Sequence, residues 1–212
     1  RLSLQAKKTV AAIRLHADGI EISDVRLGRA GVGLPISYRL QGDILSVVPK
    51  TPLAPGKYSL AIDFSNAFNT QAVGLYRVEA DGLGYAFTQF EASDARKAFP
   101  CFDEPSFKIP FEISIAAREG DAVVVNTPLV GEQENEGWIT RQFAVTRPLP
   151  TYLLAIAVGP MESAPIPDLP VPGRIYTPSG KLGLSSYAAD LAAPILQAQQ
   201  SYFGMQYPYE KL

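Results

Sequence analysis

The 212-residue sequence contains one cysteine, Cys101, and one histidine, His16. A lone cysteine excludes any internal disulfide. Cys101 is read as a small buried hydrophobe, the ordinary state of an unreactive thiol. A lone histidine excludes, within these residues, a hydrolytic metal centre that draws two histidines among three protein ligands. His16 falls on the outward side of an alternating strand and is read as a surface histidine. Positive charge is not in surplus. The formal net charge is -2, which argues against nucleic acid or an anionic membrane surface as the main partner. No apolar run approaches the ~20 residues needed to span a bilayer. No signal-peptide pattern is visible. That leans slightly to the cytoplasm, although the chain opens on Arg1 without a methionine, which leaves room for a removed leader. No internal repeat or low-complexity tract is present.

What is there is mostly strand. Ile13 and Leu15 alternate with Arg14 and His16, the pattern of a half-buried strand. Asp18-Gly19 reads as a hairpin turn, after which Ile20 and Ile22 resume the alternation. Tyr38 and Leu40 form a strand, Gly42-Asp43 turns it, and Leu45 and Val47 return. Tyr58, Leu60, Ile62 and Phe64 share one face. Further on, Phe107, Ile109, Phe111, Ile113 and Ile115 hold period two, with Pro110 on the other face marking an edge or a bulge. Ala122 to Val125 is a short apolar strand. Gly131 to Gly137 is read as an acidic hairpin tip carrying Glu132, Glu134 and Glu136. Ile139, Arg141, Phe143 and Val145 leave it as a strand. Tyr152 to Val158 reads as a strand covered on both faces. Pro160 to Pro172 holds five prolines and reads as an extended surface segment leading to a last strand, Arg174 to Thr177. Short strands at intervals of ~8–12 residues, separated by Gly, Pro and Asp, predict a mainly β domain, an antiparallel sandwich or curved sheet.

The character changes near the end. From Ser186 to Phe203, Ala188, Leu191, Ile195, Ala198 and Tyr202 recur at spacings of three and four, which predicts a helix, one with little of its own to pack on. Ser185 or Ser186 caps its start and Gly204 ends it in the left-handed conformation. Pro194 should kink it or mark the first turn of a shorter one. The expected division is a β-domain over 1–178 and the start of a helical domain over 179–212.

Tyr85 to Pro110 is the least strand-like stretch. It sets Gln89, Glu91, Asp94, Arg96, Lys97, Asp103 and Glu104 between large apolar residues, and Pro100 and Pro105 bracket a short loop. Such a loop is held rigid to present side chains. Asp94, Arg96, Asp103 and Glu104 are expected to pair with each other or cap backbone amides. The expected internal clamp is Arg96 with Asp103 or Glu104.

Thr88-Gln89-Phe90-Glu91-Ala92, Asp94-Ala95-Arg96-Lys97 and Phe99-Pro100-Cys101-Phe102-Asp103-Glu104-Pro105 resemble the N-terminal β-domain of the zinc aminopeptidases, the family of alanyl aminopeptidase and the leukotriene hydrolase. Weaker echoes are Gly74-Leu75-Tyr76-Arg77, Asn126-Thr127-Pro128, Leu149 to Ala155, and Tyr202-Phe203-Gly204 with Tyr207-Pro208. The resemblance implies that Glu91 holds the ammonium of a peptide's first residue. It implies that Gln89 lines the first specificity pocket, with Ala92, Arg96, Asp103 and Glu104 as structural neighbours, and that the Glu91–Ala92 peptide is cis. The leukotriene hydrolase has glutamine at the place of Glu91, so the glutamate favours a plain aminopeptidase.

The same resemblance implies a first strand missing before Leu2–Leu4 and a helical catalytic domain following the β-domain. The His-Glu-x-x-His zinc helix, its downstream glutamate and a Gly-x-Met-Glu-Asn strand would lie in that domain. None of these motifs occurs here. The parent protein would be a zinc-dependent peptide hydrolase acting on free N-termini, with the catalytic domain of the same chain as this segment's partner. The segment alone, with no metal ligands and no catalytic residue, should be inactive. The alternative is a non-catalytic β-sandwich that binds a protein or peptide.

Overall fold

The computed structural model describes all 212 residues. They are mainly antiparallel strands with one α-helix, and they divide into two compact units. The first unit comprises 1–76, 89–108 and 150–153. It holds β1 (Leu2–Ala6), β2 (Ile13–His16), β3 (Glu21–Arg29), β4 (Val32–Leu34), β5 (Ile36–Gln41), β6 (Ile44–Pro49) and β7 (Gly56–Ser65). They form two sheets, ordered β1-β7-β3-β4 and β2-β6-β5. Period-two alternation turns Ile13 and Leu15 of β2, Leu45 and Val47 of β6, Val25 and Leu27 of β3, and Tyr58 and Leu60 of β7 into one common core. Leu15, Leu45, Val47 and Leu60 are 1% exposed or less, and burying each stabilises the unit by about 1.5–3 kcal/mol. This is the expected sandwich. The turns follow their chemistry: Gly42 (φ 60) opens the two-residue loop between β5 and β6, as a primed turn requires.

Asp18-Gly19 does not make a hairpin. β2 pairs with β6 and β3 pairs with β7 and β4, so the turn carries the chain from one sheet to the other. A turn signal fixes the reversal but not which strand the returning one pairs with.

The second unit comprises 77–88, 109–149 and 154–212. Its elements are β8 (Gly74–Ala80) and β9 (Leu83–Gln89) over their shares within those bounds, β10 (Ser114–Arg118), β11 (Ala122–Val125), β12 (Leu129–Asn135), β13 (Trp138–Phe143), β14 (Ile156–Gly159), β15 (Met161–Pro165), β16 (Arg174–Pro178) and α1 (Ser186–Phe203). They form the sheets β11-β14-β9-β8 and β10-β13-β12 and the ribbon β15-β16.

Tyr85 to Gln89 is strand, the end of β9, so the irregular stretch begins only at Phe90. Phe107 to Ile113 is not a ladder strand. Only isolated backbone bonds such as Ile109–Leu149 hold it, Pro110 offers no donor, and regular pairing starts at Ser114. The acidic tip shrinks to Glu136-Gly137, both at positive φ. Glu132 and Glu134 lie in β12, where Glu132 meets Arg141 across the ladder at 2.7 Å. Tyr152 to Val158 is a 3₁₀ turn (Thr151–Leu153) followed by β14, because an apolar run alone does not distinguish a strand from a short helical turn. The proline-rich segment is a strand, β15, near its start, with Pro160 just before the strand, Pro165 at its end and the other prolines beyond it.

The helix has the expected bounds, and Gly204 ends it at φ 66. It continues through Pro194, and Ser185 makes no side-chain cap bond. Its apolar stripe faces outward: Ala188, Leu191, Ile195, Ala198 and Tyr202 are exposed, and only Leu196 is buried. Spacing defines an apolar stripe but not what covers it.

Candidate functional site

Gln89 at the end of β9, the loop from Phe90 to Lys108, and 150–153 all lie in the first unit. The site opens on a three-residue alternation. Gln89 and Glu91 are exposed, while Phe90 between them is 2% exposed and meets Phe99 edge to face at 5.8 Å. The buried ring is the peg that turns the two polar neighbours outward. The Glu91–Ala92 peptide is cis, as the resemblance implies. No hydrogen bond or ion pair engages the side chain of Gln89 or Glu91. An exposed, unpaired carboxylate on a pegged backbone can meet a cation at little cost in lost internal contacts.

A brace lies immediately beyond. The Asp94 N–H donates to Phe90 O at 2.8 Å, closing a turn under Glu91. The 3₁₀ turn Ala95–Lys97 comes next, and Lys97 pairs with Asp94 at 2.9 Å. Gly74 packs on this turn at φ +67, where a Cβ would stand 3.1 Å from Lys97 Cβ, so only glycine fits without displacement.

Of the two acids offered as clamp partners, Asp103 takes the role. Arg96 Nε donates to Asp103 Oδ2 at 2.9 Å, the Arg96 backbone N–H reaches the same oxygen at 3.3 Å, and a terminal guanidinium nitrogen reaches Asp103 O at 3.2 Å. Asp103 Oδ1 accepts the Thr151 hydroxyl at 2.6 Å, and the Asp103 side chain is 2% exposed. Glu104 is exposed, and its carbonyl accepts the Phe107 N–H at 3.0 Å. Arg96 also pairs with Asp43 at 3.0 Å, and its carbonyl accepts the Asp18 N–H at 2.9 Å. Burial alone would lower the Arg96 pKa. Its bonds and charge contacts with Asp103, then Asp43, outweigh that and raise it.

His16 is not the surface histidine its position in the strand indicates. Its backbone bonds Cys101 in both directions, at 2.8 and 3.0 Å, and its Nδ1 accepts the Asp103 N–H at 3.3 Å. It therefore ties the loop to β2. Cys101 is buried, as expected, and burial pushes its thiol well above the usual range, with the Asp103 charge adding to the shift.

These residues do not fit a metal. No group of three His, Cys, Asp or Glu is placed to hold one. His16 Nδ1 and both Asp103 oxygens are already engaged within the protein. The sequence alone gives no role to Asp43, His16 or Thr151. Thr151 falls inside one of the weaker family echoes, whereas Asp43 and His16 sit in strand and turn patterns that account for them without a partner.

The family model for the Peptidase M1 N-terminal domain matches residues 1–153. The chain is 31% identical over 226 residues to endoplasmic reticulum aminopeptidase 1 of Homo sapiens, a match covering 100% of this chain and 24% of that protein. It is 32% identical to endoplasmic reticulum aminopeptidase 2 of Bos taurus, again over 100% of this chain and 24% of that one. The puromycin-sensitive aminopeptidase of Caenorhabditis elegans is 29% identical over 99% of this chain and 23% of its own length. The chain thus spans about a quarter of the length of these curated relatives.

Proposed function

The chain belongs to the Peptidase M1 N-terminal domain family, and from that premise we propose that it anchors substrate for a zinc-dependent aminopeptidase of which it is one part. The observation that carries this reading is Glu91. It is exposed and unpaired, and it is held between a buried phenylalanine and a braced turn. A free peptide N-terminus is an ammonium, and a fixed carboxylate is its natural acceptor. Holding that ammonium registers the first peptide bond over the catalytic group, and such orientation is a large share of catalysis. Gln89, one side chain away on the same outward side of Phe90, can donate and accept and lines the pocket for the first residue.

Zinc, bound by ligands in the remainder of the longer protein, would supply the activated water and polarise the scissile carbonyl. Residues 1–178 form the anchoring domain, and 179–212 begin the helical part that carries the metal. The exposed apolar stripe of α1, with Leu191, Ile195 and Tyr202, supports that division, because such a stripe is normally covered.

The test uses the full-length protein on a pair of peptides that differ only in acetylation of the N-terminus. Release of the first residue from the free peptide alone is expected. Equal cleavage of both would remove the need for an ammonium anchor. Cleavage of neither, with both still bound, would favour the non-catalytic binding module.

A further inference from the structure

We infer that Asp103 is a positioning residue for Glu91: its buried carboxylate locks the Arg96 turn that holds the Glu91 backbone in place. The inference rests on the anchoring role of Glu91. Glu91 has no side-chain bond of its own, so only its backbone fixes where its carboxylate goes. That backbone is held at two points. Ahead of it, Phe90 is sunk in the core. Behind it, the turn closed by Asp94 N–H to Phe90 O runs directly into the Ala95–Lys97 turn.

Asp103 pins that second point. One oxygen takes both the Arg96 Nε and its backbone N–H, at 2.9 and 3.3 Å, and the other takes the Thr151 hydroxyl at 2.6 Å. The Asp103 N–H donates to His16 Nδ1 at 3.3 Å. Segments 48 and 87 residues away in sequence thus meet on this one residue. Asp43 adds only a half-exposed contact to the other side of Arg96, so the buried acid is the part that cannot be replaced by water. An anchor must be held to within about 0.5 Å to register a reacting bond, and a displacement of about 1 Å costs about 100-fold. A partial loosening of the brace should therefore be read out at Glu91 before it is read out anywhere else.

The experiment is a double-mutant cycle in the full-length protein with wild type, Glu91→Ala, Asp103→Asn and the double variant. The readout is the ratio of inhibition constants for alanine hydroxamate and propanoyl hydroxamate, which differ only by the α-amine. Asp103→Asn is expected to cut the wild-type preference for the amine about 10-fold and to add no further loss on the Glu91→Ala background, as coupled sites do. Thr151→Val, which removes one bond to Asp103 and keeps the volume, gives a second cycle of the same sign should Asp103→Asn fail to fold. A loss that is equal for both hydroxamates, or equal on both backgrounds, overturns the positioning role and leaves the anchor standing. A Glu91→Ala protein that keeps the full amine preference overturns the anchor and the inference with it.

Discussion

Glu91→Ala in the full-length protein is expected to lower kcat/KM for aminoacyl arylamides by about 30- to 5,000-fold, the equivalent of about 2–5 kcal/mol for an ammonium left without its carboxylate. The range is wide because the cost depends on how far the ammonium is removed from water when the substrate is bound. Glu91→Gln keeps an acceptor and loses the charge, so it should fall between the two proteins. The same substitutions should leave stability within about 0.5 kcal/mol, since an exposed side chain with no partner has little to lose. Steady-state kinetics and melting curves on the same preparations separate the two effects. A large kinetic loss with an unchanged melt assigns the effect to substrate. Unchanged kinetics would reject the role.

The second large effect is structural. Arg96→Ala leaves Asp103, 2% exposed at its side chain, without its charge partner. Removing one member of a buried pair costs about 3–5 kcal/mol, chiefly because the other charge stays buried and unpaired. Asp103 would keep the Thr151 hydroxyl but lose the guanidinium and the alignment of the Arg96 N–H. Amide hydrogen exchange across 89–108 should therefore accelerate by about two to four orders of magnitude if the segment opens locally. The region around Trp138, in the other compact unit, should be little changed. Protection of the loop that survives Arg96→Ala would mean that His16, Cys101 and Phe90 suffice to hold it.

The fold is largely legible in the sequence because the alternation is strong where one face is buried. β2, β6 and β7 can be read from Ile13 and Leu15, Leu45 and Val47, and Tyr58 and Leu60, and these residues do form the core. Pairing is less legible. Nothing in Asp18-Gly19 tells whether Ile20 returns to the same sheet or crosses to another. Period two in Phe107 to Ile115 reports facing but not laddering, because Pro110 withholds a donor. The α1 bounds follow from Ser186, Gly204 and the spacing, but its buried side does not.

The candidate site divides in the same way. Arg96 with Asp103 is a contact seven residues apart, within reach of a reading of local charge. Asp43 and His16 join from 53 and 87 residues away, and only the tertiary fold brings them in. His16 looks like a surface residue because strand alternation describes side-chain direction and not what a neighbouring loop lays over it.

The most direct measurement is a crystal structure of the full-length protein with an amino-acid hydroxamate bound. Anchoring by Glu91 predicts the ligand's ammonium within about 2.7–2.9 Å of a Glu91 carboxylate oxygen, the distance of a charge-assisted hydrogen bond. An ammonium held by other groups, with the Glu91 carboxylate pointing to solvent, would contradict it.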